Sequence, residues 1–376
     1  MKKLRLVPAL LLAVALGACT DQLLNVLPVD AISDEIAIID AASARAALVG
    51  GYGSVQALYG TSWVMWTDIL TDDVEQTGTF GSWADGDLHN FRPNMGTIDG
   101  LWTNSYSGID RVNRLIQQVP ELTDMDPSDS NDILGQAYAL RALHYFNLVR
   151  AWGDVPLVLA PPATFEEAAQ VSRAPLAQVY DQIETDLTMA ETMLSGMDNG
   201  ERTFVTPGFV DALQAKVALY QEEWGTVETE ALSVVNSGDY TLESDYGRLF
   251  TADGDPTDED IFRVAFTATE YCNQGYYYQY DGRFEIGATQ EIYDLYEAGD
   301  QRWDVNFSGT RWDGIQVVKY PTTIGSEDIH VIRYGDLILM LAEALAERSE
   351  LDDAVDWLNE IRNRAGVATY EYGTDL

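Results

Sequence analysis

Two segments of the chain concentrate aromatic residues among glycines and polar groups, in residues 80–94 and 271–284. Aromatic rings stack on the apolar C–H faces of sugars, and nearby amide, carboxylate or guanidinium groups bind the sugar hydroxyls. Both segments therefore have the composition of a saccharide-binding site. The candidate binding residues are Phe80, Trp83, Phe91, Asn94, Tyr276, Tyr277, Tyr278 and Arg283.

The same rings could instead pack the two segments onto the rest of the protein, because aromatic side chains also dominate buried cores. The composition of residues 276–280 is typical of a strand, in which neighbouring side chains point to opposite faces. The consecutive tyrosines at 276–278 could not then all reach one ligand. We therefore expect only some of the candidate residues to bind and the others to pack.

Catalytic and metal-binding motifs are missing from the sequence, which has no Gly-rich phosphate loop, no Gly-x-Ser-x-Gly and no Cys-x-x-Cys. The acidic run 253–260 lacks the glycine and glutamate positions of an EF-hand, so we expect a solvated acidic turn. Arg333, Asp336 and Glu343 share one face of a predicted helix among apolar residues, which favours a buried ion-pair network over an acid–base pair. We expect no catalysis, metal or cofactor, and a hydrogen-bonded core position for His144.

The elements that must position the aromatic segments are mostly helices. Amphipathic or apolar patterns that end at Gly or Pro predict helices over residues 43–58, 98–119, 131–152, 175–194, 206–224, 227–236, 332–346 and 352–365. The last six form three pairs whose first helices carry small residues flanked by large apolar ones. This is the design of tetratricopeptide-like helical hairpins.

Unequal spacing between the three pairs excludes a regular array and requires insertions between them. The longest insertion, at about 240–316, is rich in aromatics and glycine and has strand-like runs at 261–267 and 276–280. The predicted fold is therefore mostly α, a tetratricopeptide-like helical-hairpin scaffold with an irregular aromatic-rich insertion and short strands. Binding residues are expected in the insertions, because loops on a rigid framework usually carry them.

The N-terminus has the pattern of a secretory leader. Basic residues at 2, 3 and 5 precede an apolar run at 6–16 that is too short to span a bilayer, and Leu-Gly-Ala-Cys follows at 16–19. This ending resembles a bacterial lipobox, so we expect a signal peptide at 1–18 and lipidation of Cys19. A tether at 19–31 and one domain at 32–376 complete the predicted organisation.

The composition excludes some functions. The formal net charge is −39, and cleavage of the basic leader makes the mature chain more negative still. Such a surface repels nucleic acid, so nucleic-acid binding is not expected. Cys272 is the one cysteine that follows Cys19, so no disulfide framework exists and stability must come from core burial.

Four ordered motifs resemble the SusD/RagB family of outer-membrane nutrient-binding lipoproteins. The first is the helical stretch 137–158, which closes on Trp-Gly-Asp-Val-Pro at 152–156. Thr-Phe-Val-Thr-Pro and the helix after it follow at 203–220. Ile-Arg-Tyr-Gly-Asp-Leu begins the third motif at 332–344, and Leu-Asn-Glu-Ile-Arg-Asn-Arg-Ala-Gly forms the fourth at 358–366. The resemblance covers nearly the whole mature chain in the expected order.

The resemblance implies a lipid-anchored protein of the outer membrane that faces the exterior. It would bind glycans or oligosaccharides in loops such as 80–94 and 271–284, without cleaving them. Its partner would be a TonB-dependent barrel transporter of the SusC type, to which it passes the ligand. Family members usually continue past the Arg-Ala-Gly motif, whereas this chain ends ten residues beyond Gly366, so we expect a short variant or a truncated product.

Other functions remain open from the sequence. A helical-hairpin scaffold could bind another protein on the cell envelope, and the ligand could be a peptide or another nutrient. A glycoside hydrolase would require two carboxylates roughly 5 to 10 Å apart in a cleft. Exposure of the aromatic loops favours glycan binding over the protein scaffold.

Overall fold

The computed structural model describes residues 38–60, 62–92, 95–162, 164–198, 200–252, 254, 256–311 and 314–373. The predicted leader, Cys19 and the tether lie outside these residues. Among the residues described, no helix combines the length and apolar character that crossing a bilayer requires.

Helices are the main elements, as the sequence predicts. Their bounds are α1 (Ala41–Tyr59), α2 (Ser62–Ile69), α3 (Gly81–Asp87), α4 (Gly96–Gln118), α5 (Pro127–Trp152), α6 (Phe165–Ala168), α7 (Leu176–Leu194), α8 (Pro207–Tyr220), α9 (Trp224–Ser237), α10 (Gln274–Tyr278), α11 (Gln290–Leu295), α12 (Arg302–Asn306), α13 (Tyr334–Glu347) and α14 (Leu351–Ala365). Short 3₁₀ turns occur at Val119–Glu121 and Tyr246–Phe250. All eight predicted long helices are present, with ends shifted by a few residues.

The long helices pack as hairpins that stack on one another. Helix α5 packs on α7, α8 on α9, and α13 on α14, and these are the three predicted pairs. Contacts of α7 with α8 and of α9 with α13 join the hairpins, while α4 and α1 extend the stack on the other side of α5. The predicted mostly helical, tetratricopeptide-like scaffold is confirmed.

Short antiparallel strands complete the fold. They are β1 (Val74–Gln76), β2 (Val155–Pro156), β3 (Arg173–Ala174), β4 (Asp260–Val264), β5 (Ile286–Ala288), β6 (Phe307–Arg311), β7 (Gly314–Val317) and β8 (Ile329–Arg333). One sheet has the order β1-β5-β7-β6, and β2–β3 and β4–β8 form two further pairs. The predicted insertion at about 240–316 therefore contributes most of the four-stranded sheet, and β1 closes one edge.

The Trp-Gly-Asp-Val-Pro segment ends one helix and begins another. Gly153 has φ +67°, and its N–H donates to the Val149 carbonyl at 2.9 Å. Only glycine adopts this backbone conformation without strain, so the helix stops here. The Asp154 carboxylate then accepts the N–H of Leu176 at 2.7 Å, at the first residue of α7. The segment thus fixes the turn between α5 and its hairpin partner.

Two local predictions from the sequence are wrong. Residues 276–280 do not form a strand, because most of this run belongs to the short helix α10. Arg333 lies at the end of β8 and forms an ion pair with Glu259, whereas Asp336 pairs with Lys216 at 2.9 Å. Glu343 is exposed. The three residues therefore do not form the expected single buried network.

The acidic run before β4 is only partly solvated. Glu259 and Asp260 are fully buried, and Arg364 donates to Glu259 at 3.0 Å. Burial disfavours the charged form of Asp260, but His330, 2.8 Å away, and Arg263 outweigh burial and lower its pKa. The expected solvated turn is wrong for these residues, because they pair with arginines and a histidine from β8 and α14. The residues at 253 and 255 are outside the described part of the chain.

His144 is buried without the hydrogen bonds that the sequence interpretation expects. Its ring is inaccessible to solvent, and neither nitrogen has a partner among the described residues. Helix α4 crosses so close that a side-chain carbon at Gly108 would lie 2.3 Å from His144 Nε2. Burial, together with the nearby positive charge of Arg111, lowers the pKa of His144 to about 4. The imidazole is therefore neutral in the folded protein at neutral pH.

Acid should destabilise the fold through His144. In the unfolded chain the imidazole takes up a proton near its ordinary pKa of about 6.5, while the folded chain resists until about pH 4. The unfolded state thus binds more protons between these values, and the free energy of unfolding falls as pH drops, by up to about 3 kcal/mol. Urea denaturation at pH 7 and pH 5 should show a smaller fall in the variant His144→Leu.

The exposed His89 supplies a matched control, since His89→Gln should keep the pH dependence of the native chain. The imidazole carbon-bound protons of His144 give an independent measurement in the unmutated protein. Their NMR shifts should stay constant from pH 8 to about pH 5. A midpoint near pH 6.5 for His144 would contradict the prediction.

Candidate aromatic binding site

The structure brings the two aromatic segments together beside the four-stranded sheet. Strands β1 and β5 pair antiparallel, with Val74 opposite Ala288. The chain continues this pairing beyond the strands, since the Thr77 and Gly78 N–H groups donate to the Glu285 carbonyl at 2.9 and 3.2 Å. Residues that follow β1 therefore lie against residues that precede β5. This register joins parts of the chain about 200 positions apart.

Four rings and one guanidinium group form a continuous cluster, here named the aromatic platform: Phe80, Trp83, Tyr276, Tyr277 and Arg283. Trp83 and Tyr277 meet edge to face at 4.7 Å between ring centroids, and Phe80 meets Trp83 in the same way at 5.0 Å. Tyr276 contacts Tyr277 at 5.3 Å. These are favourable geometries for aromatic pairs.

The members of the platform differ in exposure. Tyr276 is 38% exposed, the Arg283 side chain is 40% exposed, and Phe80 and Tyr277 are half-buried. Trp83 retains only 6% exposure and lies beneath the other rings. Its prediction as a direct binding residue is therefore corrected. Trp83 supports the platform, because too little of its ring surface is accessible for stacking.

Arg283 and Glu285 hold the edge of the platform. The Arg283 guanidinium lies 3.8 Å from the centre of the Phe80 ring and donates to the Thr79 hydroxyl at 3.1 Å. It also forms an ion pair with the buried Glu285 carboxylate. Glu285 in turn accepts the backbone N–H groups of Thr79 and Phe80 at 2.6 and 2.9 Å. One carboxylate thus positions both the cation and the backbone of the first ring.

Gly78 allows this close approach. A side-chain carbon at this position would lie 2.2 Å from Glu285 Oε2. Sequence reasoning missed both Gly78 and Glu285, although they determine how the two segments dock. Neither residue has a local signal, since one is among many glycines and the other is among many acidic residues.

Helix α10 explains why the consecutive tyrosines have different environments. Successive residues of a helix point about 100° apart, so the side chains at 276, 277 and 278 turn progressively inward. Tyr278 is 1% exposed, its hydroxyl donates to Asp68 at 2.5 Å, and its ring stacks on Tyr320. Burial raises the pKa of Tyr278, and the negative charge of Asp68 adds to this effect. Its prediction as a binding residue is corrected to a core position.

The remaining two candidates lie apart from the platform or outside the description. Phe91 is 46% exposed, and its ring contacts are with Trp66 at 5.8 Å and His89 at 6.2 Å. It belongs to the segment beyond α3, whereas Phe80 precedes that helix. Asn94 falls outside the residues that the structure describes.

The arrangement is suited to binding rather than to acid–base chemistry. Its exposed groups are rings and a guanidinium, which can stack on a sugar face and donate to hydroxyl oxygens. Glu285 is 1% exposed and occupied by Arg283 and two backbone groups. Within the described ranges, no three His, Cys, Asp or Glu residues are grouped to hold a metal ion.

Two family models match the chain, and each includes one of the aromatic segments. A SusD-like model, described as starch-binding and associating with the outer membrane, matches residues 37–208. A model of the SusD family matches residues 266–375. The first match contains Phe80 and Trp83, and the second contains Tyr276, Tyr277 and Arg283. The two matches together span about three quarters of the chain.

Relatives and solved structures agree with these matches. SusD-like protein P38 of Formosa agariphila is 26% identical over 96% of this chain and 81% of its own length. SusD-like protein P2 of the same organism is also 26% identical, over 98% of this chain and 83% of its own length. A laminarin-binding SusD-like protein shares the fold with a TM-score of 0.80 and 24% identity, covering 89% of this chain and 86% of its own. Surface glycan-binding protein A from Bacteroides thetaiotaomicron shares the fold with a TM-score of 0.76 and 20% identity, covering 89% of this chain and 84% of its own. The chain belongs to the SusD/RagB family.

Proposed function

We propose that the protein binds a glycan or its oligosaccharides at the cell surface through the aromatic platform, without cleaving them. The observation that carries this proposal is the convergence of the two aromatic segments, one on each side of the β1–β5 pairing. Rings that served only to fill a core would be enclosed, whereas Tyr276 and Arg283 are exposed and Phe80 and Tyr277 are half-buried. A partly exposed, rigidly supported aromatic surface is suited to stacking on sugar rings.

A neutral saccharide fits the charge of the protein best. The formal net charge of −39 creates a negative potential that opposes an acidic polysaccharide. Arg283 is the one cation in the platform, and Phe80 and Glu285 already engage its guanidinium. It can donate to hydroxyl oxygens at the edge of the platform, but its charge is largely neutralised.

The family supports a location and a partner for this activity. One matching model is described as associating with the outer membrane, and a structural neighbour is described as a surface glycan-binding protein. In our proposal, lipids on Cys19 anchor the protein to the outer membrane with the platform facing the exterior. A SusC-type TonB-dependent transporter then receives the ligand. Co-purification of such a transporter with the tagged, membrane-anchored protein tests this part of the proposal.

Removing one exposed ring should weaken glycan binding without abolishing it. A glycan array identifies the ligand, and calorimetry then compares the native protein with Tyr276→Ala. We expect affinity to fall about two- to tenfold, because one aromatic stacking contact contributes about 0.5–1.5 kcal/mol. Tyr372→Ala is the matched control, since Tyr372 is similarly exposed at 48% but lies outside the platform.

Equal affinities for the native protein and Tyr276→Ala would contradict the assignment of the platform. A purified protein that binds no glycan on the array would contradict the proposed function itself. Release of reducing sugar from the bound oligosaccharide would show a glycoside hydrolase instead.

A further inference from the structure

A polar cavity lies next to the aromatic platform. It has a volume of about 200 Å³ and is enclosed by α2, the four-stranded sheet and α11. Exposed Thr71 and Asp73 lie at its mouth, so it is open to solvent. We name it the sheet cavity, and the polar side chains along its wall are Asp68, Tyr278, Tyr296, Asn306 and Lys319.

Lys319 supplies a positive charge that has no close carboxylate among the described residues. The chain beyond the predicted leader has two lysines, and the other, Lys216, forms an ion pair with Asp336 at 2.9 Å. The Lys319 ammonium instead lies 5.3 Å from the centre of the Tyr320 ring. In the ranges that the structure describes, no carboxylate oxygen is within ion-pairing distance of it. Lys319 lines the cavity, and its ammonium carries three N–H donors.

Asp68 supplies the complementary acceptor on the same wall. One of its oxygens accepts the Tyr278 hydroxyl at 2.5 Å, and Asp68 as a whole is half-buried. Burial raises the pKa of Asp68, and the charge of Lys319 opposes that rise. Both groups line the cavity and interact electrostatically without forming an ion pair. A gap between a strong donor and a strong acceptor is filled best by a group that can both accept and donate.

We propose that the sheet cavity binds a single neutral sugar residue, with hydroxyls that accept from Lys319 and donate to Asp68. A hydroxyl is the neutral group that performs both functions at once. The cavity has the volume of about six or seven water molecules, enough for one ring but not for a chain. Tyr296, which is half-buried, offers aromatic surface to the C–H face of that ring.

Charge favours a neutral ligand over an ionic one. Lys319 and Asp68 balance each other inside the cavity, and Asp73 adds a negative charge at the mouth. An anion such as a uronic acid would meet two carboxylates and one ammonium. A zwitterionic amino acid would have to compete with the attraction that already exists between Lys319 and Asp68.

The sheet cavity extends the proposed function, because Tyr277 of the platform and Tyr278 of the cavity are consecutive residues of α10. In this proposal, a glycan on the platform places a terminal or branching residue in the cavity. The cavity has its own set of side chains, however, and free monosaccharides test its binding directly.

Amine acylation followed by mass spectrometry reads out occupancy, since Lys216 serves as an internal control for Lys319. We expect D-glucose, D-galactose or D-mannose to slow acylation of Lys319, with no effect on Lys216. The slowing should reach about tenfold when the sugar is at about ten times its Kd, because about a tenth of the sites then remain empty. D-glucuronate and L-alanine should give no such protection.

Two variants complete the test. Lys319→Met removes the donor and Asp68→Asn weakens the acceptor, and saturation-transfer NMR should show loss of monosaccharide binding in both. Protection that persists in Tyr276→Ala would show that the cavity acts independently of the platform. Glycan binding without any protection of Lys319 would overturn the inference and leave the proposed function intact. Protection by L-alanine or D-glucuronate equal to that by the neutral sugars would also overturn it.

Discussion

Replacing Arg141 by alanine is expected to lower the free energy of unfolding by about 3–5 kcal/mol, the largest effect on stability that we predict. Arg141 on α5 binds the Asp186 carboxylate on α7 through two hydrogen bonds of 2.7 and 2.6 Å. Both side chains are almost fully buried, with 5% and 1% exposure. Without the guanidinium, a negative charge would remain inside the protein with no countercharge.

The surroundings of the pair make the loss difficult to repair. Arg141 also donates to Asn113 on α4 at 2.8 Å, and Gln182 donates to Asp186 at 2.8 Å. The network therefore joins α4, α5 and α7. Burial raises the pKa of Asp186, and the Arg141 guanidinium counteracts that rise. Removal of Arg141 would leave Asp186 either charged in an apolar environment or protonated at an energetic cost.

Urea denaturation followed by circular dichroism measures the effect against two comparisons. Arg45→Ala breaks an ion pair with Asp129 in which the two side chains are 52% and 45% exposed. This variant should lower the free energy of unfolding by less than about 1 kcal/mol. The double variant Arg141→Met/Asp186→Leu removes both charges and should recover at least half of the loss, because apolar replacements often stabilise as well as a buried pair. A loss for Arg141→Ala no larger than that for Arg45→Ala would contradict the argument.

The helical scaffold could be predicted because its signals are local. The apolar periodicity of α5 and the Gly-Asp pair at its end lie within one stretch of sequence, and backbone rules determine what they do. The three hairpins follow from small residues on helix faces that must approach closely. Local motifs of this kind predict the fold without any knowledge of contacts between distant residues.

Distant partners could not be predicted in the same way. The sequence of α5 gives no sign that Arg141 has a carboxylate partner 45 residues away while His144 has no partner among the described residues. Glu259 and Asp260 look like a solvated acidic turn, yet they pair with side chains that β8 and α14 bring to them. Such pairings depend on the complete fold and leave no periodic pattern.

The aromatic site is an intermediate case. Composition locates both segments, but it predicts a strand for the tyrosine run, because aromatic residues favour strands and the run is too short to show a period. The structure forms α10 there, so the exposed, half-buried and buried tyrosines could not be distinguished in advance. The register of β1 on β5 then decides which segment residues meet, and that register is a tertiary property.

Replacing Glu285 by alanine is expected to weaken glycan binding by about ten- to a hundredfold, the largest effect on affinity that we predict. Glu285 touches no ligand in our proposal, yet it holds Arg283 and the backbone of Thr79 and Phe80. Hydrogen bonds to a charged group contribute about 1.5–3 kcal/mol, which corresponds to this range of affinity if the platform depends on them. Calorimetry with the glycan identified on the array gives the measurement.

Graded variants distinguish positioning from a general loss of structure. Glu285→Gln keeps an oxygen that can accept the Phe80 N–H but loses the ion pair with Arg283, so its affinity should lie between those of the native protein and Glu285→Ala. Glu228→Ala is the matched control, because Glu228 also pairs with an arginine, Arg348, but far along the helical stack on α9. It should bind with native affinity.

If Glu285 acts by positioning, Glu285→Ala must lose more affinity than Tyr276→Ala. The first variant releases the support of several groups, whereas the second removes a single ring. Circular dichroism must show that Glu285→Ala is folded at the temperature of the titration. Native affinity in a folded Glu285→Ala would mean that the platform keeps its shape without this carboxylate, or that the glycan binds elsewhere. An equal loss in Glu285→Gln and Glu285→Ala would instead identify the Arg283 ion pair, rather than the backbone contacts, as the essential support.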